Sequence, residues 1–310
     1  MPTFADVVAA ADRIAGHLPQ TPMWSYPLLD AAVGADVLVK QENTQPVGAF
    51  KVRGGINLMA ELSGGVCTYS TGNHALSIAY AARLAGNACT VVMPANPNPD
   101  KLAAVEALGA RVVLADGRME EAQRLAGELA ERDGLRLVSP ANEPALIAGV
   151  ATAYAEILRA EPELDAIFVP VGSGTGAAGA VLAAAELAPA CQIIAVQSAA
   201  APAAYASWLA GECVSRPNRT DVDGLATGRG FELPQRLIAG RLADFLLVSD
   251  ADIRAAQRLM LSATHLLAEG AGAAALAGLL GVRDKFAGKR VAVVCTGGNA
   301  SSAELRALLG

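Results

Sequence analysis

The sequence predicts an α/β fold in which mostly parallel sheets are covered by helices on both faces. Three observations carry that prediction. Short apolar runs alternate with longer helical patterns along almost the whole chain, and repeated βα units of this kind pair in parallel. The turns richest in Gly, Ser, Thr and Asn directly follow predicted strands; right-handed crossovers gather such turns on one ligand-binding edge. Finally, 310 residues with 53% apolar and 17% charged side chains can bury a large core, in one large domain or two interleaved ones.

The elements follow in chain order. Residues 37–40 read as a strand, followed by the turn-rich stretch 43–48 and a helix starting near 49–51. Then come a strand at 66–69, a helix at 73–84, a strand at 89–93, a helix at 100–108, a strand at 111–115 and a helix at 120–131. The pair 137–138 precedes a helix from about 144 to 159, and the strand 166–170 runs into a glycine-rich turn and an Ala-rich helix. A strand at 193–196, helices near 252–267 and 271–280 and a last strand at 290–294 complete the pattern. Residues 211–229 hold few apolar side chains and are expected to form a long surface excursion near the ligand edge.

Composition removes several classes of function. There are 24 Lys+Arg against 30 Asp+Glu, a net charge of −6, and no basic run, which argues against a nucleic-acid partner. A membrane helix needs about 20 consecutive apolar residues; the Ala-rich run at 177–187 is shorter and broken by Gly and Glu, so no membrane association is expected. Residues 1–10 carry no positive charge ahead of their apolar side chains, so no secretory signal is expected there. The five cysteines, at 67, 89, 191, 213 and 295, are odd in number and lack metal-ligand spacing. Free thiols in a reducing cytoplasm are expected, and no cysteine-held metal.

Four stretches carry chemistry. Lys51, one of five lysines, lies between Phe50 and Val52. Desolvation disfavours an ammonium, and a neutral amine is what Schiff-base chemistry requires; a surface lysine with an apolar stem reads equally well from this stretch alone. Ser70-Thr71-Gly72-Asn73-His74 follows a strand at a helix start, where hydroxyls and backbone N–H groups favour an anion such as a carboxylate, although a plain helix cap uses the same residues. Val171-Gly172-Ser173-Gly174-Thr175-Gly176 opens a helix after a strand, a pattern suited to cradling phosphate. It lacks the Lys-Ser/Thr of a P-loop and matches the dinucleotide fingerprint only loosely. Cys295-Thr296-Gly297-Gly298-Asn299 ends the last strand with a hydroxyl at the ligand edge, or with an ordinary tight turn.

Taken together, these motifs resemble the fold type II pyridoxal-phosphate enzymes, the two-domain, tryptophan synthase β-like class. The specific likeness is to the serine/threonine dehydratase and serine racemase branch, over about residues 21–299. Two further stretches match that branch, Asp223-Gly224-Leu225-Ala226 and Ala268-Glu269-Gly270-Ala271-Gly272. The resemblance implies pyridoxal 5'-phosphate as cofactor, with Lys51 as the Schiff-base lysine and Phe50 beside the ring. It implies that Ser70, Thr71, Asn73 and His74 face the substrate carboxylate and the phenolic oxygen, and that Gly172, Ser173, Gly174, Thr175 and Gly176 hold the phosphate. Thr296 then meets the pyridine nitrogen as a neutral partner, and Lys51 and Thr71 are the catalytic candidates. The implied organisation is a large cofactor-binding domain of residues 1–62 and 142–310 and a small mobile domain of residues 63–141, in a homodimer.

Three departures from the branch stand out. Ala49 replaces a serine before the Phe-Lys pair, the phosphate loop reads Gly-Ser-Gly-Thr instead of four glycines, and Ala141 stands where the racemases carry an asparagine. In the branch's divalent-cation loop, Gln197 and Ala203 take the places of two carboxylates, so no divalent metal is expected. The activity implied is β-elimination (dehydration and deamination) of a β-hydroxy amino acid such as L-threonine or L-serine, giving a 2-oxo acid and ammonia. The alternatives are a serine-type racemase, for which Thr71 would put a hydroxyl opposite Lys51, and elimination from another β-substituted amino acid such as 3-hydroxyaspartate.

Overall fold

The computed structural model describes residues 1–309. From the N-terminus come α1 (Phe4–Ala15), β1 (Met23–Ser25), α2 (Pro27–Val33), β2 (Asp36–Gln41), α3 (Val52–Met59), β3 (Val66–Tyr69), α4 (Asn73–Ala85) and β4 (Cys89–Met93). They are followed by α5 (Pro99–Ala107), β5 (Arg111–Leu114), α6 (Met119–Asp133), β6 (Arg136–Val138), α7 (Pro144–Ala160), β7 (Ala166–Pro170), α8 (Thr175–Leu187) and β8 (Gln192–Ser198). The last part holds α9 (Ala203–Ala210), α10 (Glu232–Ile238), β9 (Asp244–Val248), α11 (Asp250–Thr264), α12 (Gly270–Gly281), β10 (Arg290–Cys295) and α13 (Ser302–Leu309).

The strands form two sheets. One has six strands in the order β1-β2-β10-β7-β8-β9, parallel except for the antiparallel edge strand β1. The other has four strands in the order β5-β4-β3-β6, all parallel. Their central strands are buried on both faces because they are apolar at successive positions, while the edge strands β1 and β5 are partly exposed. On β10, Ala292 and Val294 enter one core while Val291, Val293 and Cys295 enter the core on the opposite face. On β4, Val91 and Met93 point one way and Val92 the other. Among the described residues no helix is long and apolar enough to cross a membrane.

Helix α3 joins the two layers and packs backbone to backbone. A Cβ at Gly54 would lie 2.7 Å from the Leu146 carbonyl oxygen on α7, and one at Gly149 would lie 2.5 Å from the Arg53 carbonyl oxygen. On its other side, a Cβ at Gly55 would meet Ser77 of α4 at 2.4 Å. Only glycine admits contacts this close. Beneath α3, Arg53 is buried in a charge network with Glu42 (2.8 Å) and Glu156 (2.6 Å), and Glu156 also meets Lys40 at 2.6 Å. Two cations and two anions balance there. Removing one would strand a buried charge, at a cost of about 3–5 kcal/mol.

The predicted strands and helices of the middle of the chain are all present. Seven elements were not anticipated: α1, β1, α2, α9, α10, β9 and α13. Of these, β1 has three residues and owes its regularity to pairing with β2. One helix ends earlier than its pattern suggests. The helix expected to reach residue 267 stops at Thr264, because His265 adopts φ +61 and turns the chain toward Glu269. Residues 211–229 form the expected excursion, with one short 3-10 turn at Asp223–Leu225.

Candidate active site

The chemistry-bearing turns meet at the carboxyl edges of the two sheets. Lys51 is the residue before α3. Its amine is 3.1 Å from Ser173 Oγ, 3.4 Å from the Pro140 carbonyl oxygen and 3.5 Å from Thr175 Oγ1. All three acceptors are neutral. With no carboxylate to hold the ammonium, desolvation lowers the Lys51 pKa to about 8. The Phe50 ring centroid is 5.9 Å from the amine.

The loop 171–174 leads into α8. Gly174 is the residue before the helix, has φ +92, and leaves the first backbone N–H groups of α8 without a side-chain cap. Gly172 presses on the excursion: a Cβ there would lie 2.2 Å from the Gly224 carbonyl oxygen. Thr175 is buried, and its hydroxyl and that of Ser173 both face the lysine amine. A Cβ at Gly176 would meet the Tyr154 hydroxyl at 2.9 Å and Phe50 at 3.7 Å, so that glycine keeps the ring and the helix close.

The loop Ser70–His74 enters α4 from the other sheet. Ser70 Oγ accepts from the Gly72 backbone N–H at 3.2 Å. Thr71 is half-buried beside it. Asn73 faces Asn299 and Glu269. His74 does not share that direction: its ring turns inward, with Nε2 2.8 Å from Thr68 Oγ1. At the end of β10, Thr296 is buried and its hydroxyl donates to the Ala271 carbonyl at 3.3 Å.

Four residues outside the sequence assignment also belong to this cleft. Glu269 is buried against Asn73 and Gly297. Lys101 on α5 is buried, and its amine is 2.5 Å from Asp223 on the excursion. Lys101 also lies over the carboxylate-type loop, 3.8 Å from where a Gly72 Cβ would stand. Asn299 donates to Val47 and Asn73, both at 2.8 Å. Glu269, Asp223 and Asn299 lie in motifs whose spacing carried a signal. Lys101 sits in a polar helical stretch that reads like any surface lysine.

The residues fit pyridoxal phosphate. An enclosed amine without a carboxylate partner suits an aldehyde, and a glycine-rich turn at the start of a 13-residue helix suits a phosphate. Residues 14–297 match the family described as pyridoxal-phosphate dependent enzyme. The chain belongs to that family. It is 34% identical to an L-threo-3-hydroxyaspartate ammonia-lyase of a Pseudomonas species, over 99% of this chain and 98% of that one. It is 36% identical to an L-threonine ammonia-lyase of Geobacter sulfurreducens, over 94% of this chain and 74% of the relative. The structure of maize serine racemase superposes with a TM-score of 0.94 at 29% identity, covering 99% of this chain and 97% of that one. The fold is therefore that of the type II pyridoxal-phosphate enzymes, as expected.

Proposed function

We propose that this chain catalyses pyridoxal-phosphate-dependent β-elimination from a small β-hydroxy amino acid, giving a 2-oxo acid and ammonia. L-threonine, L-serine and 3-hydroxyaspartate are the candidate substrates. The observation that carries the reading is Lys51: an amine without a carboxylate partner, between a phosphate-type loop and a carboxylate-type loop. The ammonia-lyase relatives support it.

In this reading Gly172, Ser173, Gly174, Thr175 and Gly176 hold the phosphate with backbone N–H groups and two hydroxyls. Phe50 would lie beside the ring and Thr296 would stand at its nitrogen, as the family resemblance implies. The bound cofactor supplies an electron sink for the pair left at the substrate Cα. Ser70, Thr71 and Asn73 hold the substrate carboxylate at the start of α4. Lys51 Nζ takes the Cα proton, and its pKa of about 8 leaves a useful neutral fraction near neutral pH. The hydroxyl leaves as water on gaining a proton, which balances the one Lys51 takes from Cα, and hydrolysis then returns a water and releases ammonia. The Lys101–Asp223 and Asn73–Glu269 contacts close the cleft against solvent.

Residues 63–141, which hold the whole four-stranded sheet, form the small mobile domain in this reading, and residues 1–62 and 142–310 the large one. A homodimer in the cytoplasm completes it; five free thiols suit a reducing compartment. Two measurements test the proposal. Borohydride reduction and peptide mapping should place the cofactor on Lys51, and an adduct on Lys40 or Lys101 would refute that. A panel of β-hydroxy amino acids should yield a 2-oxo acid from at least one member.

Serine-type racemisation is the second reading, favoured by Thr71 on the carboxylate-type loop and by the likeness to maize serine racemase. A threonine hydroxyl is a weak acid with a restricted rotamer, so elimination should dominate. D-serine forming from L-serine as fast as pyruvate would reverse that order.

A further inference from the structure

Helix α13 is tied at its first turn to helices on both sides of the cleft. Ser301 caps it from within, its Oγ accepting from the Glu304 backbone N–H at 3.1 Å. In such a cap the acid at the third helical position commonly reaches back to the capping residue. The Glu304 carboxyl goes elsewhere: Oε1 accepts from the Gly270 backbone N–H at 2.6 Å and from Gln257 Nε2 at 2.7 Å. Glu304 thus satisfies the first N–H of α12, a group that a helix cannot pair within itself.

The first N–H of α13 is met in the same way. Asp100 on α5 accepts from the Ser302 backbone N–H at 3.1 Å and from Ser302 Oγ at 2.8 Å, both on Oδ2. Asp100 is free for this because Asn98 caps their own helix, with Asn98 Oδ1 2.9 Å from the Asp100 backbone N–H. The two bonds from Ser302 hold the Asp100 carboxyl below its usual pKa, and Arg306 adds to the pull. The acid therefore stays charged at a helix N-terminus, where the dipole favours an anion. Each cap comes from another helix: α5 caps α13, and α13 caps α12.

Lys101, the next residue of α5, takes a second route to the same place. Its amine meets Asp223 at 2.5 Å, and Val222, beside Asp223, lies 2.9 Å from where a Gly270 Cβ would stand. Gly270 follows Glu269, whose carboxyl holds the Asn73 amide. The backbone around Glu269 is pinned as well. Gln257 Nε2 donates to the Ala268 carbonyl at 3.0 Å, and the Glu269 N–H donates to the Gly297 carbonyl at 3.0 Å.

We infer that α13 is a strap that couples the seating of α5 to the Glu269–Asn73 contact, with Asp100 and Glu304 as positioning residues at its two ends. The inference rests on the proposed roles of Asn73 at the substrate carboxylate and of residues 63–141 as the moving layer. α5 belongs to that layer, and α12 and α13 to the other. With α5 seated, the first N–H groups of α13 and α12 both have acceptors, and Glu269 is in place for Asn73. With α5 lifted, α13 loses the Asp100 cap, the strap loosens and the support of Glu304 for Gly270 weakens. An exposed carboxylate contact adds little to folding, but it can bias open and closed arrangements that lie close in energy.

Ser302→Pro tests the outer end of the strap. Proline lacks both donors that Asp100 binds, yet it suits the first position of a helix, so α13 is retained. The KM for the β-hydroxy amino acid that turns over should rise about fivefold, with kcat within about twofold of wild type, because fewer molecules are closed when substrate arrives. Asp100→Ala should give the same rise, and the double variant no more than either alone. At the inner end Glu304→Ala should raise KM similarly, and Glu304→Gln should restore it, since one amide oxygen can take both bonds.

Hydrogen exchange of the holoenzyme, followed by mass spectrometry, tests the coupling without turnover. In Ser302→Pro exchange should quicken not only in α13 but at the heads of α4 and α12, to which Ser302 makes no hydrogen bond. A change confined to α13 would overturn the inference, as would an unchanged KM or additive effects of Asp100→Ala and Ser302→Pro. Wild-type protein that releases no 2-oxo acid would instead overturn the proposed elimination, while the exchange result would still decide the strap.

Discussion

The side-chain amide of Asn73 donates to the carboxyl of Glu269, joining the first turn of α4 to the residue that precedes α12. Asn73 Oδ1 in turn accepts from Asn299 Nδ2 at 2.8 Å, and the same Asn299 amide donates to Val47. The Asn73 amide is thus oriented from both ends by groups of the other layer. Burial is what sets Glu269 apart: it raises the carboxyl to about 7, against the pull of Lys101 and the Asn73 hydrogen bond.

That shift makes Glu269 a source of pH-dependent stability. Below its ordinary value of 4.5 the carboxyl is protonated both folded and unfolded; between 4.5 and about 7 only the folded chain keeps the proton. The stability linked to it is present at low pH and lost as pH rises through about 7. Glu269→Gln, always neutral, should lose less Tm than wild type between about pH 5 and about pH 8 in scanning calorimetry. Parallel curves would show that Glu269 is not buried as described.

Lys51 works in the opposite sense. Its folded pKa of about 8 lies below the ordinary 10.5, so the unfolded chain binds the proton more tightly in that interval. Stability in cofactor-free protein should rise as pH climbs from about 8 to 10.5, with the full penalty of the buried charge present below about 8. Lys51→Met should therefore raise the Tm of cofactor-free protein at neutral pH by a few degrees, about 2–4 °C per kcal/mol for a chain of this size class. The gain should fade toward pH 10.5. A lower Tm at every pH would contradict the geometry.

Gly172 sets how closely the excursion approaches the phosphate-type loop. A Cβ there would lie 2.2 Å from the Gly224 carbonyl oxygen, so Gly172→Ala must push the two backbones apart. Cofactor affinity should drop by about tenfold or more, the loss of one or two charge-assisted hydrogen bonds. Equilibrium dialysis of pyridoxal phosphate measures this directly. Unchanged affinity would remove the loop from the phosphate site.

Metal removal should leave the protein unaffected. Near the end of β8, Gln197 Oε1 accepts from the Tyr205 backbone N–H at 3.0 Å, and the Ala203 side chain offers no ligand atom. Activity and Tm are expected to be the same with EDTA as with added Mg²⁺ or Ca²⁺. Activity lost in EDTA and restored by Mg²⁺ would point to carboxylates from elsewhere in the chain.

Much of this molecule can be read from its sequence, for a local reason. Strands such as Val66–Tyr69 and Ala166–Pro170 are buried on both faces and bounded by polar or glycine-rich turns, so their limits fall where the composition changes. The cleft residues could be found because they sit in turns at strand ends. The elements that escaped depend on distant partners. β1 is regular only because β2 lies beside it. Lys101 is buried only because α5 packs near the excursion, 122 residues further along the chain. The inward turn of His74 depends on Thr68 and Val138, on two neighbouring strands, and no spacing within the loop announces it.

The glycine contacts of α3 have a mechanical consequence. Gly54 and Gly55 bring its backbone against α7 on one side and α4 on the other, with no side chains between to compress. Any rocking of one layer against the other therefore turns about an axle through α3. In a rotation, displacement grows with distance from the axle. Lys51, at the head of that helix, would then move less than Lys101 on α5, beyond α4. If residues 63–141 are the mobile domain proposed above, the cleft would open while the Lys51 amine keeps its aim.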